Sequence, residues 1–198
     1  MITSNTTPAR TQPQETQPKP EERSPLQKHV DFFDRNGDHE TTVCETYQGL
    51  RALGMGRIAS GGAAFVINLG LGLKTGAPWY SPLTVQNDNI AAGKHDSDSD
   101  TYDEKGNFVQ AKFDEMFATF DTNQDNAFDK PEIDHMLDTR KETFVGRQAA
   151  GAEFGLLLKL AGQENANGDK VLTKERLASL YDGSLFYTVE AEVAAANK

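Results

Sequence analysis

The chain has 198 residues, 37% of them hydrophobic, and a formal net charge of -10. That length suits one ordinary domain or a compact pair, and the excess of carboxylates argues against a nucleic-acid-binding face, which needs clustered Lys and Arg. Cys44 is the only cysteine. This excludes an intramolecular disulfide, a cysteine-based zinc site and thioether haem attachment, and it fits a reducing compartment.

Met1 to Pro25 is polar and holds five of the eight prolines, which predicts a disordered tail. It carries no apolar run, so no secretory signal is expected. Residues 26–57 read as helix, acidic loop and helix. Leu26, Val30 and Phe33 mark the apolar face of the first helix, and His29 borders it through Phe32 and Phe33 at i+3 and i+4. Asp34, Asn36, Asp38 and Glu45 stand at positions 1, 3, 5 and 12 of a twelve-residue loop, with Glu40 at position 7 offering its carbonyl. Alternating oxygens closed by a two-oxygen carboxylate suit a hard cation such as calcium. His39 fills position 6, where Gly usually supplies a positive φ, so a weakened first site is expected. Thr42 and Glu45 have capping-box spacing and start the next helix.

Residues 58–107 read as an insertion. Ile58 to Leu73 is uncharged and rich in Gly and Ala, shorter than the roughly 20 apolar residues of a comfortable membrane span. Pro78 and Pro82 flank Trp79 and Tyr80 in a bend. Two readings compete here: a buried core helix, or a hairpin dipping into a membrane or lipid-droplet surface. Ala91 to Phe108 is a polar linker carrying His95. Its Asp96, Asp98 and Asp100 alternate like ion ligands, but Asp103 and Asn107 break the pattern and favour a solvated loop.

Where residues 26–57 read as a first EF-hand, residues 108–186 read as a second EF-hand paired with a degenerate EF-like unit. Phe113, Met116, Phe117 and Phe120 form an amphipathic face. In the next loop Asp121, Asn123, Asp125, Asp129 and Glu132 hold positions 1, 3, 5, 9 and 12, with Ala127 at position 7. Asn126 at position 6 tolerates the left-handed conformation well, and Pro131 prepares the following helix. This is the fullest calcium pattern in the chain. In the third loop, from Glu164 to Glu175, Ala166 and Gly168 replace ligands, and no strong ion binding is expected. Residues 187–198 close the chain as a tail. The fold class expected is mainly α, built from EF-hand helix-loop-helix units around an inserted apolar and proline-bend segment.

The ordered strings KHVDFFDRNGD from Lys28, ETYQGLRALG from Glu45, FVINLGLG from Phe65, PWYSPL from Pro78, KHDSDSDTYDEKGNF from Lys94 and YDGSLFY from Tyr181 resemble the caleosin family of calcium-binding haem peroxygenases. The resemblance implies haem b held through His29 and His95. It implies oxygen transfer from fatty-acid hydroperoxides to unsaturated or oxidisable lipid acceptors, with Ca2+ dependence through the first loop. It also implies a lipid-droplet or endoplasmic-reticulum (microsomal) surface facing the cytosol, or a soluble cytosolic pool.

Two histidines on separate segments suit such chemistry in two ways. Both are axial ligands, one of them labile, or one is proximal and the other a distal acid-base group. We favour His29 as the proximal ligand, because a helix fixes its geometry, and His95 as the labile or distal partner. His39 and His135 read as exposed residues. The rival reading is a non-catalytic calcium sensor or lipid-droplet surface protein, which needs only the loops and the apolar segment.

Overall fold

The first helix, α1, spans Pro25–Asp31 and starts where the sequence supplies both halves of a capping box. The Gln27 N–H donates to the Ser24 hydroxyl, and the Ser24 N–H donates to the Gln27 side chain, with Pro25 at the first helical position. The helix therefore begins inside the stretch expected to be a tail. Arg23 extends that order, pairing with Asp31 at the far end of α1 and with Asp88. The computed structural model describes residues 22–93, 101–139 and 144–198.

The acidic loop after α1 leads through β1 (Glu40–Thr41) into α2 (Val43–Ala52). Thr42 caps α2 with Glu45 answering from the third position, as the spacing predicts. Helix α3 (Arg57–Thr75) follows, then β2 (Val85–Gln86) and a 3-10 helix (Asn87–Gly93). β1 and β2 pair antiparallel, with Thr41 opposite Val85. Downstream come α4 (Gln110–Phe120), β3 (Ala127–Phe128), α5 (Lys130–Thr139), α6 (Phe144–Ala161), β4 (Gln163–Glu164), β5 (Lys170–Thr173), α7 (Lys174–Asp182) and α8 (Leu185–Ala196). There β3 pairs with β5, Phe128 opposite Leu172. Thr41 and Val85 are as far apart in sequence as Phe128 and Leu172. The segment expected as an insertion thus does for the first loop what β5 does for the second: it supplies the strand partner. The third loop folds as a β4–β5 hairpin whose turn is closed by Asn165 and Gly168.

Helix α3 is amphipathic in an inverted sense. Its buried stripe is small and polar, made of Ser60, Ala64, Asn68, Gly72 and Thr75. Asn68 is fully buried and fully bonded: it donates to the carbonyls of Thr41 and Leu83, both at 2.8 Å, and accepts from the Thr46 hydroxyl at 2.6 Å. A buried amide is tolerable only when its hydrogen bonds are met in this way. The outer face carries Ile58, Phe65, Val66, Leu69 and Leu73 in solvent, and Trp79, 90% exposed, and Tyr80 extend it. Helix α3 is thus packed on one side and apolar on the open side. Among the described residues, only α3 is long and apolar enough to cross a membrane.

Gly72 lets α3 lie against the strand that follows. A Cβ there would stand 2.4 Å from the Pro82 carbonyl oxygen. Backbone cannot yield as a side-chain tip can, so Gly72→Ala is expected to cost about 1–3 kcal/mol, read as a lower urea midpoint. An unchanged midpoint would show that this contact does not clamp α3.

The main core joins Phe32 of α1's exit to Phe113, Phe117, Phe128, Ile133, Met136, Leu172, Leu177 and Leu185. Phe117 and Phe128 stack with ring centroids 4.2 Å apart. The apolar face read on α4 is the one it buries, through Phe113, Met116 and Phe117.

Candidate active site

A cavity of about 280 Å³ lies between α1, α2, α3, α6 and α7, near the lower end of the roughly 300–1,000 Å³ usual for ligand sites. Its walls are mainly apolar, with Val30, Leu50, Leu71, Leu157 and Phe186 among them. Thr41 and Thr46 also reach it, but their hydroxyls are committed to Asn87 and Asn68. His29 lines this space.

The His29 imidazole is held neutral. Burial pushes its pKa from 6.5 down to about 4, while a hydrogen bond to the Leu180 carbonyl pulls the other way. The Phe186 ring packs on it with centroids 4.6 Å apart. With one ring nitrogen tied to a carbonyl, the other keeps its lone pair for a ligand. This is the arrangement by which proteins fix a histidine on a metal. The apolar walls and the neutral imidazole suit a haem.

The sign of the pH effect follows directly. The unfolded chain takes up the His29 proton near pH 6.5, and the folded chain resists until about 4. Between these values the unfolded state binds more protons, so this contribution is complete above pH 6.5 and fades as pH falls toward 4. The loss is on the order of 2–3 kcal/mol. Urea unfolding of apoprotein from pH 7 to 4 should show it, and a His29→Phe variant should show a shallower slope. Equal slopes would contradict an imidazole held neutral by the fold.

The two acidic loops are wound as ion loops are, and they differ at the closing glutamate. In the first, the Asp34 carboxylate accepts from the N–H groups of Gly37, Asp38 and His39, and His39 takes φ 66°. His39 is exposed and meets Asp88 at 3.2 Å. Glu45 is buried. Its Oε2 accepts from Thr42, while its Oε1 has no partner, an orphaned oxygen of the kind a cation satisfies. In the second loop Asn126 takes φ 60° and Asp121 accepts from Asp125 and Asn126. Glu132 is also buried, but both its oxygens already accept N–H groups from Thr122, Asn123 and Asp129. Asn36, Asp38, Asn123, Asp125 and Asp129 bond within their own loops. Among the described residues no three His, Cys, Asp or Glu side chains already converge as a metal cluster.

His29 and the first loop are adjacent along the chain, and a polar ladder joins them to α3. Asp31 accepts from Asn87, Asn87 from Thr41, and Asn68 bonds both the Thr41 carbonyl and Thr46. His95 lies outside the described residues. His135 is exposed on α5, edge-on to Phe120.

The family model described as Caleosin related protein matches residues 21–190, nearly the whole described chain. The chain belongs to the caleosin family. It is 38% identical to a peroxygenase of Lilium longiflorum over 88% of this chain and 73% of that one. Identity is also 38% to a probable peroxygenase 4 of Arabidopsis thaliana, over 87% and 89%. A probable inactive peroxygenase-like protein of the same plant is 34% identical over 72% and 68%. No solved structure matches.

Within this caleosin, sequence reading missed the Leu180 carbonyl, Phe186 and Tyr102 as neighbours of His29. The YDGSLFY string was the available signal, since it holds two of the aromatic rings at the cavity, Tyr181 and Phe186.

Proposed function

We propose that this caleosin is a peroxygenase that binds haem through His29 and works under calcium control. The observation that carries this is the neutral, carbonyl-anchored imidazole of His29 on an apolar cavity wall in a chain related to peroxygenases. Bound there, haem supplies an iron centre able to take one oxygen from a hydroperoxide and pass it to an acceptor. The hydroperoxide leaves as its alcohol and the acceptor gains one oxygen, so no outside reductant is needed.

The protein's own part is to hold, align and keep dry. His29 presents its free nitrogen, the Leu180 carbonyl fixes its tautomer, and Val30, Leu50, Leu71 and Phe154 exclude water and favour a lipid chain. His95 is the second histidine of the proposal, as labile ligand or as the distal group that moves the peroxide proton. Substrates of this shape are fatty-acid hydroperoxides, with unsaturated lipids as acceptors.

Calcium at Asp34, Asn36, Asp38, the Glu40 carbonyl and Glu45 forms a first EF-hand and sets the exit angle of α1, which carries His29. A second ion at Asp121, Asn123, Asp125, the Ala127 carbonyl, Asp129 and Glu132 must displace the N–H donors that now hold Glu132. The outer face of α3 with Trp79 and Tyr80 rests on a lipid-droplet or microsomal surface. Because Asn68 and Gly72 pin the inner face, α3 lies along that surface and does not cross it. Phe65→Asp with Leu69→Asp should abolish flotation with phospholipid vesicles while leaving the haem spectrum intact. Flotation that persists would remove the lipid assignment.

The test of function is oxygen-labelled linoleate hydroperoxide with a sulfide acceptor. Label recovered in the sulfoxide supports oxygen transfer. Hydroperoxide breakdown with label lost to water opposes it. Haem binding with no transfer at all would favour the surface-protein alternative, which the inactive-like relative motivates.

A further inference from the structure

Helix α1 has seven residues, too few to hold its own geometry in water. The orientation of His29 must therefore come from what α1 rests on. On the cavity side that support is the end of α7 and the turn into α8. Three contacts converge there.

The first is a close approach. Gly183 ends α7 with φ 86°, and a Cβ on it would lie 2.6 Å from the Pro25 carbonyl oxygen, 2.7 Å from Lys28 Cβ and 3.1 Å from the His29 backbone nitrogen. Gly183 thus lets α1 seat its backbone directly on the turn, and no larger residue keeps that spacing or takes that φ without strain. The second is an acceptor. The Leu180 carbonyl sits in the last turn of α7, at the negative end of the helix, close enough to the His29 ring to favour its N–H. Tyr102, itself buried, donates its hydroxyl to the same oxygen at 3.3 Å. The third is Phe186, whose ring meets His29 at 4.6 Å, Phe33 at 5.3 Å and Phe32 at 5.4 Å.

We propose that the Leu180–Phe186 turn is the seat that aims His29 at its ligand, with Gly183 and Tyr102 as positioning residues. This rests on His29 being the haem ligand. Gly183 sets where the imidazole stands. Leu180 sets its tautomer and raises its donor strength, and Tyr102 moderates that strength by sharing the carbonyl.

The test uses full-length holoprotein and apoprotein of Gly183→Ala and Tyr102→Phe. In Gly183→Ala the haem affinity falls about tenfold and the ferric EPR g-values shift. Nitrogen NMR of histidine-labelled apoprotein then shows mixed His29 tautomers where the wild type shows one. In Tyr102→Phe, a near-isosteric change, the carbonyl loses a competing hydroxyl donor while keeping the Gly183 N–H, and the reduction potential moves to more negative values. If Gly183→Ala does not fold, the Tyr102→Phe potential decides. Wild-type g-values, tautomer and potential in the variants that fold, alongside loss of haem in His29→Ala, overturn this proposal alone. Full haem retention in His29→Ala overturns the reading of function and this proposal with it.

Discussion

His29→Ala protein, produced with ample haem, is expected to lack the Soret band that the wild type shows. Removing the imidazole deletes the nitrogen that the cavity presents, and among the described residues the cavity wall offers no other histidine, cysteine or methionine. The fold should survive. The Leu180 carbonyl still receives the Tyr102 hydroxyl and the Gly183 N–H, so no buried acceptor is stranded. The space left beside Phe186 should admit free imidazole, and adding it should restore part of the band. Full haem content in the variant would remove His29 as the ligand, and a collapsed apoprotein spectrum without imidazole rescue would show a role in folding.

Glu45→Gln should separate calcium control from the fold. Gln keeps the length of the side chain and the oxygen that accepts from Thr42, so the start of α2 persists. It loses the charge and the orphaned Oε1 that a cation would take. Calcium affinity at the first loop is expected to fall by about tenfold or more, and half-maximal activity should need correspondingly more calcium. Glu132→Gln is expected to change activity less, because Glu132 is already satisfied by its own loop and lies away from α1. Unchanged calcium dependence in Glu45→Gln would deny the first loop its regulatory role.

Much of this arrangement is legible in the residues. The Thr42–Glu45 capping box, the positive φ at His39 and Asn126, and the buried face of Phe113, Met116 and Phe117 follow from spacing and local sterics. Other features are hidden for definite reasons. Ser24, Pro25 and Gln27 spell a helix start, but the proline-rich composition around them masks it. The inverted burial of α3 defeats hydropathy, because Asn68 is drawn inward by two backbone carbonyls and a threonine hydroxyl that belong to distant segments. The pairing of β2 with β1 depends on two short strands whose own sequences carry little signal. The acceptor for His29 is a backbone carbonyl, and no side-chain pattern can announce that.

Calcium, α1 and a haem on His29 are proposed to act as one unit. An absorption spectrum of purified protein with calcium and then with EGTA, followed by hydroperoxide consumption in the same sample, tests it most directly. The expected result is a Soret band with calcium, a changed or weakened band after chelation, and hydroperoxide turnover that falls with it. A colourless protein despite full haem supply, or turnover and spectrum both indifferent to EGTA, would contradict it.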